Sequence, residues 1–328
     1  MLKILLSLII CMTIFPPIQA TESNIQAAFI DDIVGARAWG LGGAYRTLVN
    51  DAGSMLWNPA GLIDLQHNHS ISLEHLELMN FFTYSYLGYA GRIDERLAWG
   101  SGLFYSGDDI MAEFIGYASL ALDGALIGDF LFGEIIPQGL IGLGLSGKFF
   151  YASFGNNTSW IIPSFIDDHH VSGDATGVSI DLGFKVKPTK RDHFSLTFKN
   201  LLNRIRWHSD NPANTAYGSY HENVPITSTI GYARHQSSFI LAVDIEKGLY
   251  YDVEDNLYLG LEYLLSRELT LRTGYAQELV TADSKRWSLG AGINIDIPHL
   301  PLIRFDMTYL MNMEWEKYNS LLFAITLP

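Results

Sequence analysis

Cysteine is almost missing from this chain: Cys11 is the only one in 328 residues. Past the first 20 residues there is none, so disulfide frameworks, thiol catalysis and cysteine-ligated metals are excluded there. Charge is scarce too, at 17% Asp, Glu, Lys and Arg against about a quarter in soluble domains. Cations are the scarcer sign, 21 against 35 acids. Losing Lys3 with a leader would leave 20 cations against 35 acids, a net charge of −15. That disfavours nucleic acid and anionic lipid surfaces as partners. Long hydrophobic runs are also absent: no stretch of 18 uncharged apolar residues follows the first 20, although mean hydropathy is +0.13. No Pro/Ser-rich linker, charge block or composition shift divides the chain, and no G-x-S-x-G elbow occurs, so no enzyme is expected.

The first 20 residues read as a cleaved secretory leader. Lys3 supplies the positive start, Ile4 to Phe15 the apolar run, and Ile18-Gln19-Ala20 a small-residue cleavage site. The run is too short for a membrane anchor, and Pro16-Pro17 end it. A lipid attachment at Cys11 is disfavoured because Ile10 stands where a small residue is needed. An exported, hydrophobic chain without spanning helices points to a β-barrel.

Alternation is the dominant pattern. Val178, Ile180, Leu182, Phe184 and Val186 alternate with Ser179, Asp181, Gly183, Lys185 and Lys187. Leu257, Leu259, Leu261 and Tyr263 alternate with Tyr258, Gly260 and Glu262, and the region 286–297 repeats the theme with glycines. Successive side chains of a strand point to opposite faces, so each run has one greasy face and one small or charged face. The runs reach about 10 residues, the span of a tilted transmembrane strand. Charges recur on the minor face in mid-strand at Lys148, Asp181, Lys185, Asp244, Glu262, Arg272 and Asp306. A wet lumen accepts them while lipid accepts the other face.

Fourteen strands are expected: 69–77, 81–91, 96–105, 113–121, 139–151, 177–187, 193–202, 225–234, 238–247, 256–265, 268–278, 286–297, 302–311 and 319–327. Every second connection is short, and the longest of the others are 152–176 and 203–224, as periplasmic turns and external loops demand. The exception is 122–138, which reads as a helix or as an extra strand pair. The expected division is a leader (1–20), a non-alternating segment (21–65) and an all-β, antiparallel transmembrane barrel (66–328).

Residues 35–62 do not alternate. Gly40, Gly42 and Gly43 permit close approach and positive φ, Ala44 to Val49 suit a short helix, and Asn58-Pro59 signals a turn. A phosphate loop is excluded, since no hydrophobic strand precedes the glycines and no P-loop lysine follows. Gly142 to Gly147 fit G-x-G-x-x-G but lie inside an alternating strand, so small lumenal residues explain them better than a dinucleotide site. Asp167-Asp168-His169-His170 would need a sharp turn to hold one cation; a solvated loop is the simpler reading. His67, His69 and His75 are scattered near the first strand. The loop Trp160, Ile161, Ile162, Pro163, Ser164, Phe165, Ile166 is unusually apolar, fitting ligand capture, partner contact or a fold over the barrel mouth.

The run GARAWGLGGAYRTLVNDAGSMLWNPAGL (35–62) resembles the opening of the FadL-type outer-membrane transporter superfamily, in the spelling of its PorV/PorQ-like branch. The stretches 177–188, 257–278 and 288–296 agree more weakly. The resemblance implies a 14-stranded barrel with an N-terminal hatch in the lumen. The hatch and gating positions it implies are Gly40, Gly42, Gly43, Asp51, Trp57, Asn58, Pro59, Ala60 and Gly61. It implies passive uptake of fatty-acid-like hydrophobic molecules, for which Trp160, Ile161, Ile162 and Phe165 of the apolar loop are the ligand-loop candidates on their composition. The PorV-like alternative is a surface shuttle for secreted proteins. Either way the partners are outer-membrane lipid and either hydrophobic small molecules or secreted proteins, with no nucleic acid and no cofactor. One departure is the terminus Leu327-Pro328, where barrels of this kind end in an aromatic; Phe323 is the nearest.

Overall fold

The structure is a computed structural model that describes residues 34–78, 82–107, 111–131, 133, 136–154, 172–210, 218–249, 254–280, 284–296, 302–313 and 319–327. The expected leader, the 160–166 loop and the Asp167 to His170 cluster lie outside these residues.

Strands β1 (His69–Leu78), β2 (Phe82–Arg92), β3 (Leu97–Gly107), β4 (Met111–Asp123), β5 (Ile141–Phe154), β6 (Ser172–Val186) and β7 (Asp192–Asp210) form one arc. After the short β8 (Gly218–Glu222), the second arc runs through β9 (Thr227–His235), β10 (Phe239–Gly248), β11 (Asn256–Leu264), β12 (Leu269–Glu278), β13 (Lys285–Ile295), β14 (Ile303–Asn312) and β15 (Ser320–Leu327). Antiparallel pairing of β1 with β15, of β6 with β7 and of β7 with β9 closes a ring of 14 strands. The ring itself has no edge, the condition for a sheet in lipid, and the short β8 pairs with β7 alone. All 14 expected strands are present, with ends shifted by five residues or fewer except in β7, which runs eight residues further, to Asp210.

One expectation about connections changes and one open choice is settled. The described parts of 203–224 are largely strand. β7 continues to Asp210 and pairs with β8 from Ile205 to Ser209, so a hairpin arm extends the wall there. Its alternation of Ile205 and Trp207 with Arg204 and Arg206 carries the strand pattern outward. The open alternative at 122–138 resolves as a helix, α3 (Gly124–Leu131).

The two faces of the ring differ as alternation predicts. Leu87, Leu289 and Val178 on the outer face are 52%, 56% and 55% exposed. The intervening positions are buried, and they carry serines, threonines, glycines and the mid-strand charges. A surface this apolar suits lipid, not water. By the short-turn rule the 93–96, 187–191 and 236–238 end faces the periplasm; β1 starts at that end.

The wall is regular except in β7. Asn200 and Leu202 have φ of 61° and 49°, a region that non-glycine residues rarely occupy. The β6–β7 register slips twice here, between the Val178, Ile180 and Leu182 pairs, giving β7 two extra residues. Asn200 and Asn203 replace the missing ladder. Asn200 Nδ2 donates to Pro225 O at 3.0 Å, Asn203 Nδ2 donates to Val224 O at 2.9 Å, and Val224 N donates to Asn203 Oδ1 at 2.6 Å.

Candidate functional site: the inner face and its N-terminal segment

Residues 34–65 pack against the inner face of the ring. They form α1 (Ala36–Gly40), α2 (Ser54–Trp57) and a 3-10 turn (Pro59–Asp64), joined by tight turns. The helix expected over 44–49 is reduced to a single turn, in which Val49 N donates to Tyr45 O at 3.0 Å. The amides of Tyr45 and Arg46 at the start of that turn, which have no partner within it, both donate to Asp244 Oδ2, at 3.1 and 3.0 Å. Asn58 is fully buried and caps the 3-10 turn. Its Oδ1 accepts from Ala60 N at 3.1 Å, and its Nδ2 donates to Arg46 O at 2.9 Å. Pro59 follows at the first helical position, where its fixed φ suits the turn.

Glycines on both partners let backbone meet backbone. Gly42 has φ 64°, and a Cβ there would sit 2.8 Å from Leu259 O and overlap Tyr275 N. A Cβ on the facing wall glycine, Gly274, would overlap the Gly42 amide. On the other side, Cβ atoms on Gly144 and Gly183 would overlap Ala60 N and Asn58 Oδ1. The segment thus has two seats, Gly40–Gly42 on β11 to β13 and Asn58–Ala60 on β5 and β6.

Buried ion pairs join segment to wall. Arg46 pairs with Glu246 and lies 3.8 Å from Asp244, with its guanidinium 5.3 Å from the ring centroids of both Trp57 and Tyr258. Arg37 meets Glu262 through two bonds, at 3.1 and 3.2 Å. Glu262 also receives Arg272 Nε at 2.6 Å, and Arg272 Nη1 reaches Asp306 at 2.7 Å. Gly292 clears the path: a Cβ there would stand 2.7 Å from Arg272 Nη2. Lys148 pairs with Asp181 at 2.8 Å and donates to Asn200 Oδ1 at 2.9 Å, tying the β7 irregularity to the lumen. Asp64 bridges Lys185, at 2.7 Å, and Lys187, and Lys185 also donates to Val49 O at 2.9 Å.

All seven candidate lumenal charges, Asp306 included, therefore sit on the inner face with a partner each. Gly40, Gly42, Gly43, Trp57, Asn58, Pro59, Ala60 and Gly61 are buried in the segment, while Asp51 is half-buried, accepting from Gly53 N at 2.9 Å. His69 and His75 bond Tyr89 and Ser85, at 2.7 and 3.0 Å, and His67 is exposed. Among the described residues no three such groups converge on a metal position. Sequence reasoning missed Arg37, Arg46, Asp64 and Glu246. The available signal was two arginines in a glycine-rich run facing a chain short of cations.

The Asp64 bridge yields a pH prediction. Burial pushes its carboxyl up, but Lys185 and Lys187 outweigh that and hold it below the ordinary value. A carboxylate with a lowered folded pKa stabilises above its unfolded value of about 4, and that contribution fades as pH falls through the folded value. Hydrogen-exchange protection of residues 62–65, corrected for intrinsic rates, should decline as pH drops below about 4. Asp64→Asn should already be weak at neutral pH and should show no such decline.

Above these layers the inner face changes character. Phe104, Ile115, Phe150 and Ile205 are completely buried there, with Trp207 and Val224 beside them. All lie toward the long-loop ends of their strands. Trp207 Nε1 donates to Glu222 at 2.7 Å. Below them Tyr86 and Tyr117 meet edge to face at 6.3 Å, and Tyr86 OH donates to Ala52 O of the segment at 2.7 Å.

A closed 14-strand barrel with an apolar outer belt and a charged inner face has the architecture of a bacterial outer-membrane protein. No protein-family model and no curated protein matches the sequence. Solved structures do match in fold. The "CymD monoaromatic hydrocarbon channel" aligns over 91% of this chain and 98% of its own, at 15% identity and a TM-score of 0.63. The Ralstonia pickettii toluene transporter TbuX aligns over 89% and 97%, at 13% identity and 0.59. A Pseudomonas aeruginosa FadL homologue aligns over 88% and 96%, at 11% and 0.55. The fold is thus that of FadL-type hydrocarbon channels.

Proposed function

We propose that this barrel takes up small hydrophobic molecules passively across the outer membrane, and that residues 34–65 are its hatch. The observation that carries the reading is the apolar inner wall of Phe104, Ile115, Phe150, Ile205 and Trp207 on the long-loop side of a docked segment that ion pairs tie to the barrel. These side chains are closed to solvent in this state, so an apolar solute gains by leaving water where they part to admit it. It then meets a segment held by ion pairs and glycine contacts, which must shift to let it pass. The fold neighbours described as hydrocarbon channels and toluene transporters support the same substrate class. Within that reading Asn58-Pro59 sets the hatch conformation, and Trp160, Ile161, Ile162 and Phe165 remain the ligand-loop candidates. The surface-shuttle alternative rests on the spelling of 35–62 alone.

Uptake of labelled toluene and oleate into proteoliposomes tests the proposal, with Pro59→Ala as the probe. Removing the preset φ costs about 0.4–1 kcal/mol, about a two- to fivefold change in the docked fraction. The uptake rate should move by a similar factor while the barrel stays folded. An unchanged rate in folded Pro59→Ala removes the hatch role, and no uptake of either solute by the wild type removes the transport reading.

A further inference from the structure

The chain is acidic overall, with 35 acids against 21 cations, yet one patch of its outer wall reverses sign. Arg204 and Arg206 occupy outward positions on β7, and His221 lies opposite Arg206 on β8. Arg204 Nη2 stands 3.2 Å from His221 Nε2, so its side chain reaches along the wall toward the loop end. Among the described residues neither arginine has an acidic partner.

Residue counts give the height of the patch. About 9–11 residues of tilted strand cross the hydrocarbon. Arg204 is 12 residues beyond Asp192, the first of β7, and two of those belong to the irregularity. It therefore sits at the boundary on the long-loop side, with Arg206 just beyond. An independent marker agrees. Tyr151 lies 10 residues beyond Ile141, the first of β5, and joins Phe114 and Tyr105 in an aromatic row at ring separations of 6.3 and 5.1 Å. Such rows mark the interface. Beside Arg204 the wall is apolar and open: its ladder partner Val178 is 55% and the next strand's Phe149 53% exposed, and Leu202, nearer mid-membrane, is 81% exposed.

We propose that Arg204, Arg206 and His221 bind the phosphate of an acylated lipid in the outer leaflet, whose chains lie along Leu202, Val178 and Phe149. Guanidinium forks match phosphate oxygens in charge and geometry. Arginine stems bury their methylenes in the boundary while the heads reach the headgroup layer. The patch thus exempts one sector of an acidic barrel from repulsion by anionic headgroups, and it anchors the arm formed by β7 and β8. The site is separate from the lumen and stands whatever the barrel transports.

The test is native mass spectrometry of the full-length barrel in detergent, titrated with bisphosphorylated lipid A, with its dephosphorylated form, and with inorganic phosphate. The Arg204→Gln, Arg206→Gln pair should bind bisphosphorylated lipid A about tenfold more weakly than wild type, while binding of the dephosphorylated form stays equal. Should the glutamine pair fail to fold, Arg204→Lys with Arg206→Lys keeps the charge, loses the fork and should bind about threefold more weakly. Equal affinity of wild type and variant, or of the two lipids, overturns the site. Inorganic phosphate binding as tightly as the lipid overturns the lipid assignment.

Discussion

Arg46→Met is expected to release residues 34–65 from the wall while the barrel itself stays closed. Arg46 is 1% exposed, pairs with Glu246, lies beside Asp244 and stacks between Trp57 and Tyr258. Methionine keeps much of the volume but leaves two carboxylates buried without their cation. Breaking a buried pair from one side costs about 3–5 kcal/mol. The strands do not need the segment for their ladders, so the strain falls on docking. Amide-exchange protection across 36–64 should drop by at least about 100-fold, the factor that corresponds to 3 kcal/mol. Exchange in β10 and β11 should hardly change. Adding Asp244→Asn and Glu246→Gln removes the stranded charges and should restore part of the protection. Unchanged exchange in Arg46→Met would mean that glycine seating alone holds the segment.

Why the barrel was legible and the docking was not follows from the length scale of each signal. Alternation is local: the greasy and small faces of 177–187 or 256–265 are written in consecutive residues, and lipid outside plus water inside enforce them at every step. β7 shows the limit. Its two extra residues at Asn200 and Leu202 break the period, so the strand seemed to end there, although Ile205 and Trp207 resume it. The helix over 124–131 was half legible, because a short apolar run suits either periodicity.

The N-terminal segment was recognisable as non-strand, but its shape depends on partners about 200 residues away. The stretch 44–49 has helical composition, and nothing local reveals that it stops after one turn or that Asp244 caps its first amides. Minor-face glycines likewise looked merely small. Gly144, Gly183, Gly260 and Gly274 turn out to mark where the segment's backbone touches the wall. In a barrel, then, an inner-face glycine is a candidate contact for whatever fills the lumen, and Asn58 and Gly42 show which elements fill it.

That idea makes the second large effect specific to one methyl group. Gly274→Ala should loosen the first half of the segment, whereas Gly116→Ala should do nothing comparable. A Cβ on Gly116 meets nothing within 4 Å, while one on Gly274 overlaps the Gly42 amide and Leu41. Neither neighbour can yield easily: Gly42 is wedged against Leu259 O and Tyr275 N, and Leu41 is fully buried. Overpacking of this kind costs about 1–3 kcal/mol, or about 5- to 150-fold in the docked fraction. Exchange of residues 38–45 should rise by that factor in Gly274→Ala and stay level in Gly116→Ala. The second seat then decides how the segment moves. Asn58–Ala60 rest on Gly144 and Gly183, across the lumen from Gly274. If 54–64 loosen together with 38–45, the segment is one rigid body, and under the proposed function a solute must displace all of it. If only 38–45 loosen, the segment is hinged near Asp51, and a path can open along β11 to β13 while the Asp64 bridge holds. Equal exchange in both variants would show that the wall glycines are spacers and not seats.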